Sequence, residues 1–501
     1  MNGAAVSATA VTYARLRSTD PARWRVTALA WRRWAALAGA FCAEFGPLLA
    51  RLRDSWSGAA AEAAAARLNA LRRRMAWFRV ICWRADQALS EFAAALARAR
   101  ALLDRAHTAA GRAGLVIDDS GAVRGPAGEH DAIRSVGAEL GSALTVAAEA
   151  DASAAARLGA LADVPPAPVV TSFPACTATP AEVRRWWEQW TPAERDWLLA
   201  TEPAALAGAD GIPVADRDVA NRLLLDDHRL ELDRMRAVGA DPDRIRDLLE
   251  GLDRLTARLD DETGPRAYLV GLGLDGEGRA VVALGDPDRA AHVLTHVPGM
   301  TSDLKSLGGE LSRAERVAAR AGELGPGGST SAVLWLDYDA PDFVHEAASA
   351  RQARDGAPEL TRFQEALRAT HDGEPAHQTV LGHSYGSLVV GRAAAAGGLP
   401  ADDVVFVGSP GVGVDSASQL RIPADRVWST TSITDPIRLA ARPDPGLPDR
   451  SRDLWFGRDP SEPGFGARVF RSQLDAGHLG YWDAGKPALD ALARITLGGA
   501  P

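Results

Sequence analysis

The chain has 501 residues, 47% apolar and 24% charged, which is ordinary for folded protein and long enough for two or three domains. Its 48 glycines and 30 prolines stay below the share that marks low-complexity chains, which excludes collagen-like and linker-only readings. The net charge of −9 is unevenly placed: residues 1–110 hold 17 arginines against 7 acids, and the rest of the chain is acidic.

Only Lys305 and Lys486 are lysines, and no basic loop is interleaved with aromatics, so nucleic acid is not expected as a partner. Three cysteines, Cys42, Cys82 and Cys176, cannot all pair and lack metal-ligand spacing. They are expected as buried thiols of a protein in a reducing, cytoplasmic compartment, with export of the folded chain as the alternative. Residues 1–20 lack a basic region followed by an apolar run, and no stretch of 18 apolar residues occurs, so neither a secretory signal nor a transmembrane segment is expected.

In chain order, residues 21–53 and 68–103 carry helical periodicity. In the second of these, Leu68, Leu71, Met75, Phe78, Cys82, Ala85, Leu89, Phe92, Leu96, Ala99 and Leu103 form a seam at spacings of three and four, which needs a partner helix. Trp31, Trp34, Phe41, Phe45 and Leu49 of the first are expected to supply it, with Trp56-Ser57-Gly58 as the turn of an antiparallel hairpin. A third amphipathic segment, 130–161, completes a helical bundle over 1–164. Residues 165–180 contain Pro-Pro-Ala-Pro and no period, and read as a linker.

Residues 181–501 form the second predicted domain, opening with a tryptophan-bearing helical section over 181–262. Short β-rich runs then alternate with helical stretches: 268–274, 280–284, 292–297, 332–337, 379–382, 404–408, 427–431 and 467–470. That alternation predicts an α/β class domain, a mainly parallel sheet between two helical layers, preceded by the all-α bundle.

Residues 379–390, TVLGHSYGSLVV, read as a strand, a tight turn and a helix, with G-x-S-x-G at the turn. Small residues are needed at Gly382 and Gly386 because side chains beside a serine at a strained corner would strike neighbouring backbone. Composition alone would give roughly 0.24 such pentapeptides, so the strand–turn–helix context carries the inference. A serine needs an imidazole to take its proton and a carboxylate to orient that imidazole. Of the ten histidines only His478 follows Ser384. The acid is expected at Asp435, after the run 427–431, with Asp415 in reserve one strand earlier. Oxyanion donors are expected from the backbone N–H of Tyr385 and from the loop after 292–297, at Met300 with Gly299 as neighbour.

These elements, in this order, resemble the α/β-hydrolase fold. More narrowly, Asp210-Gly211-Ile212-Pro213, Arg217-Asp218, Ala220-Asn221-Arg222, the run from Leu334 to Pro341 and Gly464-Phe465-Gly466-Ala467 resemble an actinobacterial α/β-hydrolase family long catalogued as a domain of unknown function. That resemblance implies a serine hydrolase. The hairpin with Trp56-Ser57-Gly58 is similar to the WXG-type proteins exported by type VII secretion, which implies a helical protein partner through residues 20–110.

The leading expectation is a serine esterase or lipase-like enzyme taking a small acyl ester through an acyl-enzyme, without cofactor. The alternatives are a helical interaction protein with an inactive hydrolase core, and a peptidase or amidase using the same residues. His292 and His296 share a strand face but are read as core, so no metal is expected. Gly325 to Gly328 lacks the ending of a phosphate loop, so no nucleotide is expected. Residues 409–426 are too few for a helical cap, so cover for the site is expected from 181–259 or from the loop 436–466, where Phe456 and Phe465 would line an acyl pocket.

Overall fold

The computed structural model describes residues 11–501 apart from 127, 162–167, 169, 171, 262, 326–327 and 441–455. The chain divides into two compact units, one comprising Met1–Ala167, Pro192–Thr201 and Glu262–Arg266, the other Pro168–Thr191, Glu202–Asp261 and Ala267–Pro501. Part of the expected linker, at 165–167, 169 and 171, and part of the expected cover, at 441–455, lie outside the described residues.

The first unit is built on three helices, α1 (Pro21–Ser55), α2 (Ala59–Arg112) and α3 (His130–Ala160). Asp20 starts α1 by accepting a hydrogen bond from the Ala22 N–H, with Pro21 in the first turn where it costs no hydrogen bond. Gly58, at φ 100°, breaks the chain between α1 and α2. From Phe92 onward the α2 seam is buried with Val136, Leu140, Ala143 and Ala147 of α3.

The face of α1 that packs matches the expected one at Leu49 but not at Trp34 or Phe41. Trp34 and Phe41 are exposed, and the buried residues are Ala28, Arg32, Ala35, Ala38, Gly39 and Leu49. Small residues let the helices approach closely, so that a Cβ on Gly39 would lie 3.1 Å from Arg79 Nε. The approach also seats the Arg32 guanidinium on Asp86, 2.7 Å away, with Arg266 on the other carboxylate oxygen at 2.8 Å.

Burial pushes the Cys82 thiol up to about 12, consistent with a buried thiol, whereas Cys176 is exposed and Cys42 half-buried, contrary to expectation. Among the described residues α1 is the one helix long and apolar enough, by length and composition, to cross a membrane, although Glu44 and Pro47 interrupt it and most of it is exposed.

The second unit contains the eight strands expected from sequence: β1 (Ala267–Gly273), β2 (Arg279–Leu284), β3 (His292–Val297), β4 (Thr330–Leu336), β5 (His377–His383), β6 (Asp403–Val407), β7 (Val427–Thr430) and β8 (Arg468–Val469). They form one sheet in the order β8-β7-β6-β5-β3-β4-β2-β1. β1 and β2 are antiparallel to their neighbours and the rest are parallel.

Alternate side chains sort to opposite faces, as a pleated strand requires. Val293, Val380, Val404 and Phe406 join Phe363 and Leu367 of α7 (Arg351–Thr370) and Leu388 and Val389 of α8 (Gly386–Ala396). Leu294, Leu381, Val405 and Val407 face Val317 of α6 (Leu307–Leu324) and Leu492 and Ile495 of α9 (Pro487–Thr496). The result is a three-layer α/β fold.

Helix α4 (Val214–Ala237), followed by α5 (Pro242–Leu259), explains two of the sequence motifs. Asp218, fully buried, accepts from Arg222 Nε at 2.7 Å and from the Leu269 N–H at 2.8 Å, while Arg222 also donates to the Ala267 carbonyl. Asn221 donates to the Val270 carbonyl, so Asp218, Asn221 and Arg222 together tie α4 to β1. Removing the carboxylate would break the buried ion pair with Arg222 and take the acceptor from the Leu269 N–H. Asp218→Ala is expected to destabilise this unit by about 3–5 kcal/mol in urea unfolding, and a change under about 1 kcal/mol would contradict this role.

Candidate active site

Strand β5 ends at His383, and Ser384 stands between it and α8 with φ 52°, a left-handed conformation that a non-glycine residue holds only where its surroundings enforce it. Two glycines make the corner possible. A Cβ on Gly382 would lie 2.5 Å from Ser387 Cα, and one on Gly386 would lie 2.3 Å from the Val297 carbonyl oxygen. The Ser384 N–H donates to the Val407 carbonyl at 3.0 Å, fixing the turn to the end of β6. Beneath it, Ser387 Oγ donates to the Ser384 carbonyl and contacts Ser409 Oγ, both at 2.6 Å.

His478 lies in the loop before a short helical turn, Gly480–Trp482. Its Nδ1 meets both carboxylate oxygens of Asp435, at 2.9 and 3.0 Å. Asp435 follows β7 and is buried. It also accepts from Tyr481 Oη at 2.6 Å and from the Ile437 N–H at 2.9 Å. Burial pushes the Asp435 carboxyl up, but the hydrogen bonds from His478, Tyr481 and Ile437 outweigh it and hold the group below the usual carboxylate range. The end of β6 comes so close to this pair that a Cβ on Gly408, at φ 54°, would lie 2.8 Å from Asp435 Oδ2 and 3.3 Å from His478 Nδ1. Asp415, the reserve acid, is exposed and accepts from the Arg458 N–H instead.

The ring of His478 lies 4.8 Å from that of His383, the residue before Ser384. Neither Ser384 Oγ nor His478 Nε2 has a hydrogen-bond partner among the described residues. His383 is fully enclosed, and burial first, then the nearby His478, lower its pKa to about 3. It is therefore neutral, and its Nε2–H donates to the His478 carbonyl at 3.0 Å. His296, on the same face of the sheet, contacts Glu310 Oε2 through Nε2 at 3.0 Å, and both His296 and His383 meet the edge of Trp482.

The loop after β3 runs against the serine. A Cβ on Gly299 would lie 2.7 Å from Ser384 Cβ and 3.2 Å from its Oγ. The N–H groups of Gly299, Met300 and Tyr385 make no hydrogen bond among the described residues. The loop is braced by the run after β4: Tyr338 Oη donates to the Pro298 carbonyl at 2.6 Å, and the Thr301 N–H donates to the Pro341 carbonyl at 2.8 Å. That contact gives the Leu334 to Pro341 motif its physical meaning. Phe465 and Phe456 are buried in the main core rather than open to solvent, although Phe456 meets the Tyr385 ring edge-on at 6.1 Å.

Tyr481, His383, Tyr338 and Gly408 were not legible as site residues. Tyr481 stands three positions after His478, but neither its spacing nor its neighbours distinguish it from a core tyrosine before the chain is folded.

Sheet order, the glycine-lined corner at the carboxyl ends of β3, β5, β6 and β7, and the Asp435–His478 pair define an α/β hydrolase fold. Residues 275–445 match the family described as Alpha/beta hydrolase. The uncharacterized protein Rv2079 of Mycobacterium tuberculosis is 31% identical over 389 residues, covering 67% of this chain and 59% of that protein. The uncharacterized protein Rv0963c of the same species is 32% identical over 211 residues, covering 39% of this chain and 75% of that protein, and Mb0988c of Mycobacterium bovis matches to the same extent. The chain therefore carries an α/β hydrolase domain, is related to these mycobacterial proteins, and spans 59% of the length of Rv2079. No solved structure matches it.

The lowered Asp435 pKa has a consequence for stability. A carboxylate whose folded pKa lies below its unfolded value stabilises the fold above the unfolded value, and that contribution is lost as pH falls through the folded one. Tyr481→Phe removes a donor to the carboxylate, raising its folded pKa, so acid unfolding of the variant is expected to begin at higher pH than in wild type. Superimposable acid-unfolding curves followed by circular dichroism would contradict the role given to the Tyr481 hydroxyl.

Proposed function

We propose that the protein is a serine hydrolase of small acyl esters. Ser384 Oγ attacks the ester carbonyl carbon while His478 Nε2 takes its proton. The negative charge passes to the carbonyl oxygen, held by the N–H of Tyr385 and an N–H from the Gly299–Met300 turn. Collapse of the tetrahedral species breaks the bond to the alkoxy leaving group, which takes the proton from His478 and departs as an alcohol. The acyl group remains on Ser384. Water, deprotonated by His478, then attacks the acyl carbon, and collapse breaks the bond to Ser384 Oγ, which takes the proton back from His478 as the carboxylic acid leaves. Asp435 keeps the imidazole in the tautomer that leaves Nε2 free to accept.

The observation that carries this reading is the bond of His478 Nδ1 to the buried, ionised Asp435 beside a serine in the left-handed region. Met300, half-buried in the turn beside Ser384, suits an acyl chain better than a charged peptide. The competing reading is a helical interaction protein whose hydrolase core is inactive.

p-Nitrophenyl esters of increasing chain length test this directly. Ser384→Ala and His478→Ala are expected to lower kcat/KM by roughly 10⁴-fold to 10⁶-fold with circular dichroism unchanged. Rates that are flat across the series and insensitive to both substitutions would refute esterase activity and favour the inactive core. Faster turnover of the matching anilides would move the assignment to an amidase.

A further inference from the structure

Helix α1 carries two apolar stripes, and among the described residues only one is covered. Ala28, Ala35, Ala38, Gly39 and Leu49 are buried. Trp34, Leu37, Phe41 and Leu48 are 56%, 52%, 63% and 43% exposed. At 100° per residue these four fall within an arc of about 60° on the other side of the helix. Four large apolar side chains exposed in one line amount to a face without a partner among the described residues.

What borders the stripe selects its occupant. Arg23, Arg33 and Arg51 stand exposed near its start, middle and end, and none has a carboxylate partner among the described residues. Over Pro21–Ser55 the charged residues are six arginines against Glu44 and Asp54. A helical protein partner would require a seam continuing at spacings of three and four from Leu37 and Phe41. Its next positions are Glu44, Leu48 and Arg51, so knobs-into-holes packing would bury two charges. A bilayer surface sets no such requirement: apolar and aromatic side chains enter the headgroup–acyl boundary, and arginines at the margin reach the phosphates. Because the opposite face of α1 is already buried, the helix would lie along the surface and not cross it.

We propose that the exposed stripe of α1 docks the protein on an anionic phospholipid bilayer. This does not depend on the esterase reading, and its test does not use turnover. The full-length protein is mixed with phosphatidylcholine vesicles containing about 30% phosphatidylglycerol, and separately with pure phosphatidylcholine vesicles, and bound protein is measured by flotation. Binding is expected to the anionic vesicles, at least about tenfold weaker to the neutral ones, and reduced by added salt.

Leu37→Glu with Phe41→Glu is expected to reduce binding by about tenfold or more while helix content stays the same. Arg33→Ser with Arg51→Ser is expected to remove the preference for anionic lipid. If the double glutamate variant loses helicity, Phe41→Ser alone makes the same test. The proposal is overturned if neither vesicle binds the wild type, or if the apolar variants float as well as wild type. It is also overturned if the wild type is a lipid-independent dimer that Leu37→Glu/Phe41→Glu dissociates, because the stripe then seats a second copy of the chain.

Discussion

Everything at the candidate site depends on how closely backbone segments approach where four strands end. Gly382, Gly386, Gly299 and Gly408 each occupy a place where a Cβ would fall between 2.3 and 2.8 Å from a neighbouring atom. The consequence is geometric: Ser384 is lifted from the sheet with Gly299 against its side chain, and the end of β6 lies against the Asp435–His478 pair. Larger residues would separate these segments, and the side chains would no longer share one corner.

A second requirement is electrostatic. Asp435 lies in a buried position that by itself disfavours charge, and three donors offset that cost. Tyr481 makes the geometry stricter, since its hydroxyl donates to Asp435 while accepting the Ser432 N–H, joining the loop after β7 to the loop that carries His478. His383 adds another tie, from beneath the serine to the His478 carbonyl. Both loops are thereby fixed by polar contacts in an otherwise apolar setting, where an unmade hydrogen bond is expensive.

Much of the sheet was legible in the sequence because strands buried on both faces announce themselves as short β-branched runs; all eight strands were read, most to within two residues, although β8 at the sheet edge is exposed. Ser384, Asp435 and His478 were expected from chemistry plus chain order, and of these the fold bonds His478 to Asp435. Other features could not be read. Tyr481 and His383 act through tertiary hydrogen bonds that leave no periodic trace. On α1, Trp31, Trp34, Phe41, Phe45 and Leu49 suggested a packed face, and Leu49 is buried while Trp34 and Phe41 are exposed, because periodicity does not say which of two stripes a partner helix takes. Alanines and Gly39 won because they permit a closer approach and let Arg32 reach Asp86. The Leu334 to Pro341 motif resembled a family habit, and its purpose emerged only when Tyr338 was found bonded to Pro298.

The most direct test is a crystal structure of the protein after reaction with a fluorophosphonate. The expected result is a single phosphonyl group on Ser384 Oγ, its free oxygen within hydrogen-bond distance of the Tyr385 N–H and an N–H of the Gly299–Met300 turn, with His478 still bonded to Asp435. A phosphonyl group on another residue, or an intact Ser384 beside an unmodified His478 after prolonged exposure, would contradict it.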